Sequence, residues 1–582
     1  MNPQNRERSF NGACWHYVSN QNRIQALVST NHVSEFLASC LAVLDIDPGA
    51  PVDTFLHPSI SHLLDPWLMK DMDRAVSRFN DAISNRESIR IVTDYDADGT
   101  MSSLILQSVL AICGHSRVSY HIPDRKVEGY GFTCLAAQKA IEDGVSLIVT
   151  ADIGVRDEPA ISMAKKAGID VIVLDHHLPE GVGVPPSAYA VICPPQPGCN
   201  YPNKALAACG ISLKFAQALL AEHPRRDQII RSLLKLAALG TVADVVSLRT
   251  TENRAIVSIG LDSLNRDPHK PGLDALLSVS QALPGNIDAS TISFFIAPRI
   301  NAAGRMATAT LIIELLHARN RVEAQGLASK LDAMNVDRKY IQEQMVERAI
   351  ECIGDSDAPF LLVALPESAE WHAGVAGIVA GRLKEKYNRP VAVGTITGED
   401  VTFSLRSTPG VHAVTALTAV SKMLTKFGGH AAAAGFSCNR KNLDAVREGL
   451  CENTSLQLGG TTELAVVELS VKLSPNDLKK EDFEDIKLLE PCGACLHRPL
   501  ICLENVRLCD IRWMKEVHLS ATILTPQMSI RVVWFNPPER IRETLNSPLD
   551  IVGELQQNKW NGETRNQFLI RDACLSGQNV YI

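Results

Sequence analysis

The stretch SIRIVTDYDADGTMSSLILQSVLAICG (88–114) decides the fold of the largest part of this chain. Its first half, SIRIVTDYD, is predicted to be a short strand that runs into an acidic loop, and SSLILQSVLAICG is predicted to be a helix. Two further apolar strands follow in SLIVTADIG (146–154) and DVIVLDHH (170–177), with the helix EPAISMAKKAG (158–168) between them. Short apolar strands that alternate with helices predict a parallel α/β sheet.

The composition is that of a globular intracellular protein. The chain has 582 residues, of which 46% are hydrophobic and 21% are charged, and its formal net charge is −8. These values exclude a disordered, collagen-like or coiled-coil protein, and they require any nucleic-acid surface to be a local basic patch. The fifteen cysteines follow no disulfide framework, and no secretory signal or membrane span is recognisable. We therefore expect a cytoplasmic protein without membrane contact.

Changes of pattern divide the chain into five segments. They are an N-terminal cap (1–75), an α/β catalytic domain (76–255), a helical segment with a long connector helix at 320–354 (256–355), a second α/β domain (356–460) and an all-β domain (463–582). The predicted fold class is therefore α/β, with two α/β lobes joined by a long helix and a C-terminal barrel or sandwich. Within the second lobe, the GGH of FGGHAAAAG (427–435) is expected to be a tight turn and AAAAG the start of a helix.

Acidic groups follow the apolar segments of the catalytic domain. They are Asp94, Asp96 and Asp98 in TDYDADGT, Asp152 in TADIG, Asp175 with His176 and His177 in LDHH, and Asp244 in VADVV. The carboxyl ends of parallel strands share one edge of the sheet, so these groups should converge there. Carboxylates with one imidazole suit Mg²⁺ or Mn²⁺, and two such ions about 3.5–4 Å apart hydrolyse phosphate esters.

Each of these motifs also has a structural explanation when it is taken alone. A single Asp at a strand end is usually a helix cap or a turn residue, and paired histidines are often satisfied by hydrogen bonds. DYDADG could be a calcium loop, but the EF-hand spacing and terminal Glu are absent. The ordered occurrence of all four motifs favours the metal site. Asp152 is then expected to bridge two ions, and the helix start at Thr100, Ser102 and Ser103 is expected to offer backbone N–H groups to a phosphate.

In order and spacing, the four motifs resemble those of the DHH phosphoesterase superfamily. Five further segments resemble the RecJ family of single-strand-specific 5′→3′ exonucleases, and these are IPDRKVEGYGF (122–132), FIAPRINAAGRM (295–306), WHAGVAGIVAGRL (371–383), SLRS (404–407) and FGGHAAAAGFS (427–437). The resemblance runs from about residue 50 to the C-terminus. It implies a DHH domain and a DHHA1-like domain that form a cleft too narrow for a duplex, followed by an OB-fold.

The resemblance also implies a role for each matching residue. The ligands of two divalent ions, Mn²⁺ or Mg²⁺, would be Asp96, Asp98, Asp152, His176 and Asp244, with Asp94 at the first ion or beside it. His177 would contact the scissile phosphate, and Asp175 would orient a histidine. Substrate phosphates would be held by Arg125, Arg305, Ser404, Arg406 and His430.

The C-terminal segment carries weaker signals. An OB-fold binds single strands with basic and aromatic side chains, and the candidates here are Arg512, Trp513, Lys515, Arg531, Trp534 and Trp560. Each tryptophan taken alone is slightly more often a core residue. The sequence departs from the family pattern at EPCGACLHRP (490–499), where Cys492, Cys495 and His497, with Cys502 beyond, indicate either packing or a zinc knuckle. The missing second half of a knuckle favours packing.

The implied function is a metal-dependent exonuclease that degrades single-stranded DNA from its 5′ end to mononucleotides in DNA recombination and repair. It is expected to act as a monomer beside a single-strand-binding protein and a helicase. Two alternatives remain, which are a related phosphodiesterase acting on short RNA or dinucleotides and a catalytically inactive DNA-binding scaffold. Residues 463–582 disfavour the first and the filled ligand positions disfavour the second. A chain ending near residue 460, if it folds, is expected to keep cleavage of short strands.

Overall fold

The computed structural model describes residues 7–581 except 124–127, 180–182, 267, 307, 369, 460–465 and 561–562, and it leaves out the side chains at 558–560, 563 and 564. The chain forms two compact units. Unit 1 comprises Met1–Lys270, Gln281–Ala297 and Leu464–Ile582, and unit 2 comprises Pro271–Ser280 and Pro298–Glu463. Within the described residues, no helix is long and apolar enough to cross a membrane.

The N-terminal part of unit 1 is one strand followed by four helices. These elements are β1 Cys14–Tyr17, α1 Gln21–Asn31, α2 Glu35–Val43, α3 Ala50–Leu56 and α4 Met72–Ser84. Helix α2 begins where the Ser34 hydroxyl accepts the Leu37 N–H at 3.0 Å, which is the N-cap arrangement expected of serine. Two short 3-10 turns, Ile60–His62 and Pro66–Leu68, connect α3 to α4.

The predicted parallel sheet is confirmed, and it has five strands. They are β2 Ile89–Thr93, β3 Val118–His121, β4 Leu147–Ala151, β5 Asp170–Leu174 and β6 Ala190–Ile192, in the order β3-β2-β4-β5-β6. All four pairings are parallel, and β2 and β4 are buried along their whole length. The connecting helices are α5 Ala97–Ile112, α6 Cys134–Glu142 and α7 Glu158–Lys166. Strands β3 and β6 have only four and three residues, which is too short for a clear periodicity.

A series of helices follows the sheet along the chain. Its members are α8 Ala208–Leu219, α9 Arg226–Ala243, α10 Thr251–Arg266, α11 Pro271–Val279 and α12 Ala289–Thr291, and α12 continues into a π-helix at Ile292–Ile296. Helix α11 belongs to unit 2 and the others belong to unit 1. Helix α9 ends at Ala243, so that Asp244 is its C-terminal capping residue, as the apolar run before VADVV predicts.

Unit 2 contains a mixed five-stranded sheet in the order β10-β11-β9-β8-β7. Its helices are α13 Ala297–Met306, α14 Thr310–His317, α15 Arg321–Ile353, α16 Ala376–Tyr387, α17 Ala413–Ala419 and α18 Leu443–Leu458. Its strands are β7 Leu361–Pro366, β8 Val391–Thr397, β9 Asp400–Arg406, β10 Leu424–Gly429 and β11 Ala433–Asn439. Helix α15 confirms the long helix expected at 320–354.

The expected helix start in AAAAG is wrong. These residues lead into β11, which pairs antiparallel with both β10 and β9. Alanine favours helices, but Phe436 and Cys438 at alternate positions of β11 are buried in the core of this sheet. The burial of alternate side chains therefore outweighs the local propensity.

The C-terminal part of unit 1 is mainly β structure, as expected. Its strands are β12 Val466–Leu469, β13 Val471–Leu473, β14 Ile501–Val506, β15 Cys509–Met514, β16 His518–Leu524, β17 Ser529–Trp534, β18 Leu549–Trp560 and β19 Glu563–Leu575, and its helix is α19 Lys480–Leu488. Seven strands form one sheet in the order β13-β14-β18-β19-β17-β16-β15, while β12 pairs with β1. Most pairs are antiparallel, but β13 with β14 and β17 with β19 are parallel.

The C-terminal segment packs into the core of unit 1, so its removal would take away the partners of buried groups in the rest of the chain. The fully buried Trp15 donates its indole N–H to Asp572 at 2.9 Å. The guanidinium of the buried Arg254 donates to the carbonyl oxygens of Phe55, Leu488, Glu490 and Pro491. A chain ending near residue 460 would leave several of these buried donors without acceptors, at about 1–3 kcal/mol each. The truncation prediction required that such a chain folds, and these contacts disfavour that condition.

The cysteines of EPCGACLHRP are not gathered into a metal site. Cys492 and Cys502 are buried whereas Cys495 is exposed, and the Cys492 thiol lies 3.4 Å from the Leu489 carbonyl oxygen. Among the described residues, the groups with metal-binding geometry include neither these cysteines nor His497. This geometry favours the packing explanation over the zinc knuckle.

Candidate metal centre

The ends of three neighbouring strands bring the acidic motifs together. Thr93 of β2 pairs with Ala151 of β4, and Ala151 pairs with Leu174 of β5. The residues that follow, Asp94, Asp152 and Asp175, therefore leave the sheet side by side at its carboxyl edge. The convergence expected from the sequence is thus a direct result of parallel register.

The acidic loop after β2 is closed by its own side chains. Asp96 caps α5, because one carboxylate oxygen accepts the N–H groups of Asp98 at 2.9 Å and Gly99 at 3.1 Å. A Cβ at Gly99 would lie only 2.4 Å from the Asp94 carbonyl oxygen, so only glycine allows this close approach. The Thr100 N–H donates to the Asp96 carbonyl oxygen within the helix. The start of α5 therefore does not offer this N–H to a phosphate.

The serines expected to help bind phosphate at the start of α5 are also unsuitable. Ser102 and Ser103 are fully buried beyond the first turn of the helix. Their backbone N–H groups lie inside α5, beyond the first turn in which the unpaired N–H groups of a helix are found. The phosphate-binding role predicted for Thr100, Ser102 and Ser103 is therefore wrong.

Asp152 has an uncommon backbone conformation. Its φ is +65°, in the left-handed region that aspartate tolerates better than most residues, and its N–H donates to the Leu174 carbonyl oxygen at 3.0 Å. This turn leaves the carboxylate buried, with 2% of the residue exposed. Backbone strain at a buried carboxylate is a feature of functional sites.

Asp175 fixes the histidine pair. Its carboxylate accepts the backbone N–H groups of Val155, His176 and His177 and also contacts Nδ1 of His177 at 2.8 Å. Nδ1 of His177 therefore carries the proton, and Nε2 is turned away from Asp175. This contact is the one that a carboxylate makes when it orients a histidine, which is the role that the resemblance implies for Asp175.

His176 lies among the carboxylates. Its Nε2 is 3.2 Å from Oδ1 of Asp152 and 3.7 Å from Oδ2 of Asp244. This nitrogen is buried, and it has no hydrogen-bond partner among the described residues. A buried imidazole nitrogen facing carboxylate oxygens is the arrangement that a divalent cation would satisfy, so the residues present fit a metal site.

Three overlapping groups of potential ligands have donor atoms within 4.8 Å of one another. They are Asp94 with Asp96 and Asp152, Asp98 with His176 and Asp244, and Asp152 with His176 and His177. Asp152 belongs to two of the groups, which is the position expected of a ligand shared by two ions. The donor set is mostly carboxylate oxygen with imidazole, which suits Mn²⁺ or Mg²⁺.

Burial and mutual repulsion shift the pKa values of the carboxylates in this cluster. Burial, followed by the charges of Asp96 and Asp98, raises the pKa of Asp152 well above its ordinary value. Burial and the neighbouring carboxylates likewise raise the pKa of Asp244 to about 9. Burial lowers the pKa of His176, which favours the neutral imidazole needed by a metal ligand. For Asp175 burial acts in the opposite direction, but the hydrogen bond and charge of His177 outweigh it and lower the pKa.

Asp98 also accepts hydrogen bonds from a distant segment of the chain, which was not predicted from the sequence. Its two carboxylate oxygens accept the N–H groups of Ala208 at 2.7 Å and Cys209 at 2.8 Å, at the start of α8. A Cβ at Gly240 of α9 would lie 3.0 Å from the Asp98 carboxylate. Residues about 110 and 140 positions away thus shape the environment of this ligand, and no local pattern reveals them.

Tyr130 and Asp157 were also missed by the sequence analysis. The Tyr130 hydroxyl lies 3.4 Å from Nε2 of His177, and the carboxylate of Asp157 accepts the Phe132 N–H at 2.7 Å. Burial raises the pKa of Asp157 to about 6. The one available signal was the sequence Gly129-Tyr130-Gly131, which places an aromatic residue between two glycines.

The predicted phosphate-binding residues of unit 2 lie around the start of α16. Ser404 and Arg406 are two positions apart on β9, and a Cβ at Gly377 would lie 3.5 Å from the Ser404 hydroxyl and 3.2 Å from Nη2 of Arg406. Arg305 donates to the Gly374 carbonyl oxygen at 3.1 Å. His430 is exposed in the turn between β10 and β11, and Arg125 lies outside the described residues.

A groove in the C-terminal part of unit 1 carries a local positive charge. Its volume is about 1050 Å³, and its charged lining residues are Lys480, Lys487, Arg512, Arg531, Arg565, Glu484 and Asp510. The five bases outnumber the two acids although the whole chain is acidic. The groove is thus the local basic patch that a nucleic-acid surface in such a chain requires.

The six C-terminal residues predicted to contact a nucleic acid lie in different environments. Arg512 and Arg531 line the groove, and Lys515 is exposed in the turn after β15. The ring of Trp513 lies under the Arg542 guanidinium, 3.8 Å from it. Trp534 is only 3% exposed, so its predicted role as a stacking platform is wrong, because β17 directs this ring into the core. The side chain of Trp560 lies outside the described residues.

The chain is similar to known proteins over almost its whole length. Residues 88–241 match the profile of the DHH family, N-terminal domain, residues 357–454 match the DHHA1 domain, and residues 469–572 match the RecJ OB domain. A single-stranded-DNA-specific exonuclease, RecJ of Bacillus subtilis, is 34% identical over 96% of this chain and 70% of that protein.

Two crystal structures of RecJ from Thermus thermophilus are also similar. The complex with Mn²⁺ has a TM-score of 0.80 at 26% identity, covering 97% of this chain and 81% of that one. The complex with Mg²⁺ has a TM-score of 0.75 at 25% identity and covers 97% and 80%. The ions in those structures are the two that the donor set of this chain suits.

Proposed function

This chain belongs to the RecJ family of single-stranded-DNA-specific exonucleases, and we propose that it removes mononucleotides from the 5′ end of single-stranded DNA with two divalent metal ions. The observation that carries this proposal is the buried Nε2 of His176, which faces the oxygens of Asp152 and Asp244 and has no other partner among the described residues. An inactive scaffold would not need this cluster of buried carboxylates. Burial of unpaired charge lowers the stability of the folded protein.

Each side chain of the centre has one proposed task. Asp96, Asp98, Asp152, His176 and Asp244 would hold Mn²⁺ or Mg²⁺, and Asp94 would support the first ion. When bound, the ions supply a nucleophilic water at neutral pH and stabilise charge on the phosphate. His177, held by Asp175, presents Nε2 to a non-bridging oxygen of the scissile phosphate. Asp175 keeps the imidazole in that orientation and stabilises its charged form.

The 5′ polarity rests on the residues around the start of α16. Arg406 provides charge-assisted hydrogen bonds to a terminal phosphate, and Ser404 and the backbone of Gly377 lie beside it. Arg305 and His430 are proposed to hold further phosphates of the strand, and the same role is proposed for Arg125. A site that recognises a terminal phosphate fixes which end of the strand enters first.

End-blocked strands test this polarity. A strand with a bulky block at its 5′ end should resist degradation, and a strand blocked at its 3′ end should be degraded at the normal rate. In Arg406→Gln, the preference for a 5′-phosphate over a 5′-hydroxyl should fall about tenfold or more, because a charged hydrogen bond contributes about 1.5–3 kcal/mol. The measurement is the initial rate of mononucleotide release from each labelled strand.

The matched control is Arg382→Gln, which removes an exposed arginine from α16 without touching this group. It should leave the phosphate preference unchanged. Protection by the 3′ block but not by the 5′ block would refute the polarity, and an unaltered phosphate preference in Arg406→Gln would refute the role of Arg406.

We also propose that the basic groove binds the strand beyond the active site. Its basic residues come from β15, β17, β19 and α19, and hydroxyl and amide groups of Ser520, Thr522 and Asn566 lie between them. No aromatic ring is among the groove residues described, so phosphate contacts rather than base stacking would supply the affinity. Such contacts are independent of sequence and sensitive to salt.

The salt dependence of affinity tests the groove. In the double variant Arg512→Gln/Arg531→Gln, the slope of log affinity against log salt for a long single strand should become shallower by about 1.4, at about 0.7 per lost phosphate contact. Turnover of a short oligonucleotide should not change. Arg507→Gln, an exposed arginine of the same domain outside the groove, is the control. An unchanged slope in the double variant would exclude the groove as a DNA surface.

The wider setting follows from the proposed reaction. An enzyme limited to single strands needs duplex DNA to be opened and the product strand to be protected, so a helicase and a single-strand-binding protein are the expected partners. A cytoplasmic location is supported by the fifteen cysteines, all of which are free thiols. The role in recombination and repair, the monomeric state and the five segment boundaries stay predictions.

A further inference from the structure

Tyr130 is an exposed aromatic residue beside the candidate metal centre. Its residue surface is 57% exposed, and it lies between Gly129 and Gly131, whose φ angles are +85° and +93°. Positive φ at both neighbours produces a turn that presents the tyrosine outward, which glycine allows without strain. An exposed ring in a well-defined turn is a candidate for contact with a ligand.

Both sides of this turn are fixed by buried carboxylates. Before it, the nearly buried carboxylate of Glu128 contacts Nε2 of His121 at 2.9 Å and Nζ of Lys139 at 3.4 Å. After it, Asp157 accepts the Phe132 N–H at 2.7 Å. Contacts of Glu128 and of the Phe132 N–H therefore anchor the chain on both sides of Tyr130.

The Asp157 attachment also excludes other residues from the turn. A Cβ at Gly131 would lie 2.8 Å from the Asp157 carboxylate, so a side chain there would push the turn away. Only glycine combines the positive φ with this close approach. The turn is thus built to hold Tyr130 at one distance from the LDHH motif.

The turn directs the tyrosine hydroxyl to the free nitrogen of His177. The ring meets the imidazole edge-on, with 6.4 Å between centroids and 78° between planes, and the hydroxyl is 3.4 Å from Nε2. This separation is longer than a good hydrogen bond, so a third polar atom can bind both groups at once. A phenol keeps its proton at neutral pH, so the Tyr130 hydroxyl can donate a hydrogen bond to that atom.

We propose that Tyr130 is a further catalytic residue, whose hydroxyl donates a hydrogen bond to the same non-bridging oxygen of the scissile phosphate that His177 contacts. This inference rests on the proposed function, because that function places the phosphate at Nε2 of His177. Negative charge on such oxygens is redistributed as the transition state forms. A preorganised donor there lowers the barrier without tightening ground-state binding to the same extent.

The first test is Tyr130→Phe in the full-length protein with Mn²⁺, which keeps the ring and removes only the hydroxyl. On a short 5′-phosphorylated single strand, kcat should fall about 10- to 100-fold while KM changes less than about threefold. Tyr189→Phe removes a hydroxyl elsewhere in the same domain and should change neither constant. Thermal unfolding and Mn²⁺ affinity should be unchanged in both variants.

The second test identifies the oxygen. A phosphorothioate of defined configuration at the first linkage replaces one non-bridging oxygen by sulfur, a poor hydrogen-bond acceptor. For one diastereomer, wild type should slow markedly, and Tyr130→Phe should show a much smaller additional loss, because the donor is already absent. A loss caused by a metal contact would shrink when Mn²⁺ replaces Mg²⁺, whereas the loss caused by Tyr130 should persist.

Three results would overturn the inference while leaving the exonuclease function intact. They are an unchanged kcat in Tyr130→Phe, a change confined to KM, and equal sulfur effects in the variant and in wild type for both diastereomers. Failure of the proposed function would look different, because wild type itself would then release no nucleotides from single-stranded DNA in the presence of Mn²⁺ or Mg²⁺.

Discussion

Asp152→Asn is expected to lower the turnover of single-stranded DNA by about 10³-fold or more, because it removes the carboxylate that belongs to two ligand groups. Asparagine is preferred to alanine at this position, because asparagine tolerates the φ of +65°, which would strain alanine. Binding of a long single strand should be largely retained, since the groove and the residues around α16 are untouched. The measurement pairs the rate of nucleotide release with strand affinity.

The unfolding temperature of the same variant provides a second measurement, which does not depend on its activity. The pKa of Asp152 is raised in the folded protein, so its stabilising contribution is complete below about pH 3.8 and is lost as the pH rises through the raised pKa. Above the raised pKa the metal-free wild type therefore carries a repulsive carboxylate that Asp152→Asn lacks, so the stability difference in favour of the variant should grow as the pH rises. The metal-free variant should unfold at a higher temperature than metal-free wild type, and Mn²⁺ should raise the unfolding temperature of wild type more than that of the variant.

A matched control separates this effect from a general loss of charge. Asp81→Asn alters an exposed aspartate of α4 and should leave turnover, metal response and unfolding temperature unchanged. Excess chelator should silence wild type, and added Mn²⁺ or Mg²⁺ should restore it. Substantial turnover by Asp152→Asn, or by wild type in excess chelator, would contradict the two-metal site.

Asp175→Asn is expected to lower kcat by about 10²-fold, the usual effect of losing a carboxylate that orients an active-site histidine. The carboxylate accepts from Nδ1 of His177 and from three backbone N–H groups, and an amide has only one oxygen to offer. With the amide oxygen at the Oδ1 position, the amide nitrogen would face the Val155 N–H, and the charged form of His177 would lose its counter-charge. Single-turnover rates at saturating substrate, compared with KM, would detect this loss.

The stability of Asp175→Asn should also depend on pH in a defined direction. The pKa of Asp175 is lowered in the folded protein, so its stabilising contribution is present above about pH 3.8 and is lost as the pH falls through the lowered pKa. The variant should therefore unfold at a lower temperature at pH 7, and the difference should narrow only below about pH 3.8.

The control for Asp175 lies at the start of β5, the strand that precedes Asp175. Asp170→Asn removes a half-exposed partner of Arg78, which keeps its ion pair with Glu87. It should leave kcat unchanged. An equal loss of kcat in the two variants, or wild-type kcat in Asp175→Asn, would show that Asp175 does not orient the catalytic histidine.

Several features of this protein could be predicted from the sequence alone because they depend on short-range patterns. Fully buried parallel strands are continuous apolar runs, so β2, β4 and β5 are recognisable one at a time. Because parallel register aligns their ends, Asp94, Asp152 and Asp175 had to converge once the sheet was recognised. The long helix α15 was also predictable from a local pattern, because a pattern that extends over 33 residues is little affected by single residues that disfavour a helix.

Only the tertiary structure decided which groups meet across long separations in the chain. The pairing of β1 with β12, the burial of Trp534 and the strand formed by Ala433–Asn439 each depend on partners that no local pattern specifies. The same is true of Tyr130 against His177, 47 residues apart. A side chain's type sets the chemistry that it can perform, but burial and contact are properties of the packed chain, and packing outweighs the small local preferences of single residues.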